Sequence, residues 1–196
     1  MEFFDNMNCK TIIDKLAISH SLTREEWTEL LSASNEEDVS YAGIKAREVA
    51  DSVYGKEIYI RGIVEFSNTC NRNCNYCGLR AGNSKLERYR LGEEDILDCC
   101  RDGYDYGFRT FVLQSGEDPF YDRDMICRIV SKIRMEFPDT AITLSIGEKS
   151  YEDYKAFREA GADRYLLRHE TANKEHYEKL HPSNMSWQNR MRCLED

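Results

Sequence analysis

The stretch that decides the fold is Glu57 to Arg80, "EIYIRGIVEFSNTCNRNCNYCGLR". Its first half, "EIYIRGIVEFSN", reads as a strand. Its second half is a polar loop carrying three cysteines, Cys70, Cys74 and Cys77, in the spacing C-x3-C-x2-C. The elements that surround this strand and loop decide what three thiols without a fourth beside them can do.

Downstream, strands and helices alternate. "GEEDILDCCRDGYDYG" reads as a helix, "RTFVLQ" as a strand, and "YDRDMICRIVSKIRMEF" as a helix stopped by Pro138. "TAITLS" is a strand, and "SYEDYKAFREAG" a helix opened by Ser150 and Asp153 and closed by Gly161. "DRYLLR" is a strand and "NKEHYEKL" a short helix. Four strand–helix units in series predict an α/β fold, a parallel sheet or (β/α) barrel of the TIM type. Four units cannot close an eight-stranded barrel of about 250 residues. The expectation is therefore a barrel truncated to its first four units, the helix "SWQNRMRCLED" opening the next. The alternative is a small open sheet complete in itself.

Upstream, residues 9–55 read as helical. Ile12, Ile13, Leu16 and Ala17 form one apolar stripe. Thr23 with Glu26 forms a capping box before Trp27, Leu30 and Leu31. Val39, Ala42, Ala46, Val49, Ala50 and Val53 form a second stripe, ended near Gly55. The expected division is a helical segment, 1–56, and a barrel domain, 57–196.

The chain has 196 residues, 41% hydrophobic and 32% charged, with a net charge of −9. That balance fits a soluble globular chain and disfavours nucleic acid as a partner, because an acidic surface repels phosphate. No apolar run approaches the roughly 20 residues that span a bilayer. The start, "MEFFDNMNCK", lacks the basic and apolar pattern of a signal peptide. The expected location is the cytoplasm, away from membranes, where thiols stay reduced. Eight cysteines there point to metal or redox chemistry rather than a disulfide framework. Five of them, Cys9, Cys99, Cys100, Cys127 and Cys193, read as packing or surface residues.

Residues two apart on a strand share a face. In "DRYLLRHE" one face carries Arg164, Leu166, Arg168 and then Glu170, the other Tyr165, Leu167 and His169. The apolar-aromatic face suits the helices outside a barrel, which turns two arginines and a glutamate inward. Charges there need partners or a ligand, and at the C-terminal ends of barrel strands they read as active-site groups. Thr143 and Ser145 share a face at the end of the third strand, and Thr110, Val112 and Gln114 at the end of the second. "QSGED" follows as a polar turn able to offer backbone N–H groups.

A zinc site uses four ligands, usually in two pairs, whereas this chain has one C-x2-C and one extra cysteine. A redox C-x-x-C usually opens a helix, and here it lies in a loop rich in Asn and Arg. An iron–sulfur cubane held by three thiolates instead of four keeps one iron open. S-adenosylmethionine (SAM) can chelate such an iron and be cleaved there to a 5′-deoxyadenosyl radical.

The spacing C-x3-C-x2-C, with aromatic Tyr76 before its last cysteine, resembles that of radical SAM enzymes. With "ERYRL", "VLQSGEDP", "AITLSIGE", "EAGADRYLLRHETAN" and "YEKLHP", the chain resembles the HydE family of FeFe-hydrogenase maturases, which groups with biotin synthase and methylornithine synthase. The resemblance implies a 4Fe-4S cluster on Cys70, Cys74 and Cys77. It implies SAM bound near Tyr76 (adenine), Gln114, Ser115 and Gly116 (methionine end), Glu170 (ribose) and Arg190 (carboxylate). Thr143, Ser145, Arg164 and Arg168 would face the substrate, a small molecule or an iron–carbonyl–cyanide–cysteine complex. Implied partners are other hydrogenase maturases and an electron donor. Family members run to roughly 350 residues, so the expectation is that this chain alone is inactive or poorly soluble. The competing readings are a methylornithine synthase-like mutase and a non-catalytic metal-binding module.

Overall fold

The computed structural model describes residues 8–196. The start of the chain, on which the signal-peptide reading depends, lies largely outside them. The chain divides into two compact units, Met1–Tyr59 and Ile60–Asp196.

The first unit holds three helices, α1 (Cys9–Ser19), α2 (Arg24–Ala33) and α3 (Glu36–Tyr54). Asn8 caps α1, Thr23 and Glu26 form the expected capping box on α2, and Asn35 with Asp38 forms another on α3. Helix α1 packs on α2 and α3 with Ile12 and Ile13 buried. Lys15 donates to Glu26 at 2.5 Å and the Tyr41 hydroxyl to Asp14 at 2.7 Å, tying the three helices together. The stripe expected on α3 is only partly realised. Ala42 and Val49 are half-buried beside Asp38 and Tyr41, while Val39 and Val53 are exposed.

The second unit is a four-stranded parallel sheet in the order β1-β2-β3-β4, formed by β1 (Gly62–Ser67), β2 (Thr110–Ser115), β3 (Ala141–Ser145) and β4 (Arg164–Tyr165). Between successive strands run α4 (Glu93–Asp105), α5 (Arg123–Glu136) and α6 (Tyr151–Ala160), followed by α7 (Lys174–Leu180) and α8 (Trp187–Glu195). Parallel neighbours need such crossovers, and a sheet whose sequence order equals its spatial order is the open form of a (β/α) barrel.

One sheet face carries the core. Val64 and Phe66, Phe111 and Leu113, and Ile142 and Leu144 alternate toward the helices and meet Ile96, Leu97, Ile126, Ile129, Val130, Ile133 and Phe157. The other face carries Glu65, Gln114, Thr143 and Ser145. For Gln114, Thr143 and Ser145 this is the split the strand faces predicted; after Tyr165, where β4 ends, the expected alternation is lost, and Leu166 and Leu167 both line the cavity at the C-terminal ends of the strands.

Two strands are shorter than expected. Gly62 pairs with Phe111 at the start of the β1–β2 register, so residues 57–61 have no ladder partner. Strand β4 lies at the sheet edge and pairs only with β3, through Thr143↔Arg164 and Leu144↔Tyr165. All eight cysteines are free. Among the described residues no helix is long and apolar enough to cross a membrane.

Candidate active site

The C-terminal ends of the strands open onto a cavity of about 550 Å³. Cys70, Cys74, Cys77 and Tyr76 line it from the loop after β1, and Gln114, Ser115 and Gly116 from the end of β2. Ser145 lines it from the end of β3, Arg168 and Glu170 from the segment after β4, and Arg190 from α8. Thr143 and Arg164 do not reach it. They pair with each other deeper in the sheet, two residues before Ser145 and four before Arg168.

The cysteine loop is braced on both sides. On one side it rests on the "QSGED" turn. A Cβ built on Gly116 would stand 2.4 Å from the Thr69 carbonyl oxygen and 2.6 Å from Cys70 Cβ, so only glycine permits this approach. The Asn71 N–H donates to the Glu117 carbonyl at 2.9 Å, and Arg72 Nε to the Glu117 carboxylate at 2.6 Å. Below, Asp118 is a fully buried carboxylate. It accepts from Ser67 Oγ at 2.7 Å and from Arg90 through two nitrogens at 2.7 and 2.9 Å. Burial alone would raise the Asp118 pKa, but Arg90 and Ser67 outweigh it and hold the carboxyl below its ordinary value. Arg88, in the same "ERYRL" segment, donates to the carbonyls of Asn68, Leu79 and Arg80 and closes the loop on itself.

On the other side lies the chain around α7. The Asn75 N–H donates to the Leu180 carbonyl at 2.9 Å and Asn75 Nδ2 to the Lys179 carbonyl at 2.8 Å. Cys74 Sγ sits 3.8 Å from Met185 Sδ. Burial pushes the Cys74 thiol above its ordinary pKa, and the charges of Cys70 and Cys77 add to the rise.

The far wall is ionic. Arg190 Nε donates to Glu148 Oε1 at 2.8 Å, with both side chains almost fully buried. Arg190 also donates to the Arg168 carbonyl. Glu148 accepts from Asn189 Nδ2 at 2.7 Å, and its own N–H donates to Glu117 at 3.1 Å. Gly147 makes this turn possible: its φ is +81°, and a Cβ there would meet Glu117 at 2.0 Å. Glu170 has a φ of +63°, a strained backbone for a non-glycine residue and one frequent at functional sites.

The donor set fits a cluster. Three free thiols share one cavity with no histidine and no fourth cysteine in its lining. Among the described residues, no group of three His, Cys, Asp or Glu side chains converges on a single-ion site. A cubane takes each thiolate at a different iron, so sulfurs that share a cavity without meeting at one point suit it.

Sequence reading missed Glu65, Arg72, Glu117, Glu148 and His181. Glu65 accepts from Gln114 Nε2 at 2.8 Å on the inner sheet face, where its period-2 position two residues after Ile63 gave a usable signal. The others are known by partners 29 to 105 residues away, which no local pattern reveals.

The family model of the radical SAM superfamily matches residues 64–196. The chain is 46% identical over 96% of its length to the [FeFe] hydrogenase maturase subunit HydE of Thermotoga maritima, covering 53% of that protein. It is 30% identical to 3-methylornithine synthase of Methanosarcina acetivorans over 85% of its length, covering 48% of it. The chain thus spans about half the length of the curated relatives it matches. Among solved structures it resembles HydG, a maturase of the [FeFe]-hydrogenase, with TM-score 0.85 and 25% identity over 97% of this chain and 43% of that one. It also resembles methylornithine synthase, with TM-score 0.81 and 28% identity over 94% of this chain and 54% of that one. These neighbours are barrel enzymes, of which the four-stranded sheet represents about half. With a matching family model over most of the sheet unit and three thiols at its C-terminal mouth, the chain belongs to the radical SAM superfamily.

Proposed function

We propose that the chain is a radical SAM maturase acting in assembly of the FeFe-hydrogenase di-iron subcluster. Cys70, Cys74 and Cys77 would hold a 4Fe-4S cluster. The observation that carries the reading is the meeting of these thiols with the Gln114–Gly116 turn, Glu170 and Arg190 in one cavity. The 46% identity to HydE, against 30% to 3-methylornithine synthase, favours maturation over a methylornithine synthase-like mutase. When bound, the cluster and SAM supply one-electron chemistry that begins with cleavage of the sulfonium bond.

The chain's own residues bind and orient. Tyr76 would face the adenine, Glu170 the ribose hydroxyls, Gln114, Ser115 and Gly116 the methionine end, and Arg190 the carboxylate. The pairing of Arg190 Nε with Glu148 fixes the plane of the guanidinium, so the fork meets a carboxylate in one orientation. Arg168 and Ser145 would contact an anionic substrate, such as an iron–cysteine complex, with Thr143 and Arg164 deeper on the same face. Other hydrogenase maturases and an electron donor would be its partners in the cytoplasm.

Anaerobic reconstitution with iron and sulfide tests this. The expected result is a brown protein whose reduced cluster gives an electron paramagnetic resonance signal that shifts on adding SAM. A colourless zinc protein would overturn the reading in favour of a metal-binding module. Consumption of lysine with SAM and dithionite would overturn the maturase assignment in favour of a mutase.

A further inference from the structure

Tyr76 and Arg190 both line the cavity, and a column of rings joins them. The Tyr76 hydroxyl lies 2.9 Å from His181 Nε2, and His181 Nδ1 lies 2.8 Å from the Tyr177 carbonyl. A carbonyl only accepts, so Nδ1 carries a proton, and in the neutral ring Nε2 then offers a lone pair. The hydroxyl therefore donates to it.

The rings pack as the hydrogen bonds require. The Tyr76 ring meets His181 edge-on, with centroids 5.4 Å apart. His181 stacks on Tyr177 at 3.8 Å with planes 17° apart. Tyr177 is fully buried, and the Arg190 guanidinium lies 5.6 Å from its ring centroid. The Tyr177 hydroxyl approaches Glu148, the partner of Arg190, at 3.4 Å. His181 is itself 5% exposed and touches no cysteine in any of these bonds.

We propose that His181 is a positioning residue for SAM: by accepting from Tyr76 and stacking on Tyr177, it sets the distance between the wall that takes the adenine and the wall that takes the carboxylate. This rests on the reading of Tyr76 and Arg190 given above. His181 does not line the cavity, and its hydrogen bonds go to Tyr76 and Tyr177, so it acts through Tyr76 and through the Tyr177–Arg190 contact.

The test compares His181→Phe, which keeps the stacking and loses the acceptor, with Tyr76→Phe, which loses the donor, and with the double variant. Each is reconstituted anaerobically beside the parent. Both single variants are expected to load iron like the parent and to raise the KM for SAM about tenfold, with a smaller change in kcat. The double variant should be no worse than either single one, because both remove the same bond. His181→Gln, whose amide oxygen can replace Nε2, should restore most of the affinity. An unchanged KM in either single variant, or additive losses in the double, overturns the proposal. If His181→Phe does not fold, the Tyr76→Phe and His181→Gln results decide alone: raised and near-parental KM values support it, any other pair overturns it. A parent that binds no cluster or shows no SAM-dependent shift instead defeats the underlying functional reading.

Discussion

Gly116 lies against Cys70 so closely that an added Cβ would stand 2.6 Å from the Cys70 Cβ. The turn after β2 is thus the floor on which the first cysteine rests. Gly116→Ala must push the loop away or shift β2. Overpacking of this kind costs about 1–3 kcal/mol. The expected outcome is a folded protein, by circular dichroism, that retains less iron per chain than the parent after reconstitution. Parental iron content would show that the loop adapts freely.

Asp118 anchors the same loop from beneath, and its folded pKa is lowered. A carboxyl lowered on folding stabilises the native state at pH above its unfolded value of about 3.9. That stabilisation is lost as the pH falls through the lower folded value. Asp118→Asn should therefore destabilise at neutral pH and converge on the parent in acid. The Arg90 side chain is 43% exposed, so solvent screens part of the pair. The cost at neutral pH is put at about 2–3 kcal/mol, under the roughly 3–5 of a fully enclosed pair. Urea melts at pH 7 and in acid measure both parts, and a pH-independent difference would refute the linkage.

The sheet was legible in the sequence because its period-2 faces and its helix caps are local. Thr23 and Glu26, Ser150 and Asp153, and the stop before Pro138 all lie within a turn of what they define. The cysteine loop was legible for the same reason, since three cysteines fall within eight residues. Strand length was not. Residues 57–61 look like a strand, but a strand needs a partner, and β2 supplies none before Phe111. The walls of the cavity were only half legible. Arg190 could be proposed from the family resemblance, but Glu148, which orients it, sits 42 residues upstream in a short "IGE" turn with no pattern of its own.

Glu148 and Arg190 form the most buried ion pair among the described residues, at 4% and 6% side-chain exposure. Glu148→Ala would leave a guanidinium enclosed with only the Arg168 carbonyl as a bonded partner. Removing one member of such a pair costs about 3–5 kcal/mol. Glu148→Gln keeps an acceptor and should cost less, while leaving the Arg190 fork free to turn. The expected result is weakened SAM binding in both variants, larger for Ala, with the Ala variant also melting several degrees lower. Equal melting temperatures for parent and Ala would exclude a structural role for the pair.

In the proposed function, Arg168 would separate substrate binding from SAM binding. Its carbonyl holds Arg190, but among the described residues its side chain makes one long hydrogen bond, 3.5 Å, from Nη2 to Gln114 Oε1. Gln114 is in turn oriented by Glu65, to which it donates at 2.8 Å. The Arg168 guanidinium is thus directed along the inner face of the sheet yet remains available to an anionic group. Arg168→Met leaves the backbone carbonyl in place, so Arg190, the cluster signal and its shift with SAM should persist. Hydrogenase maturation should fall at least about 30-fold, the effect of losing roughly 2 kcal/mol from a charge-assisted contact to substrate. Lysine at this position restores the charge without the planar fork and should recover activity only in part. Unchanged maturation by Arg168→Met would remove Arg168 from the substrate wall.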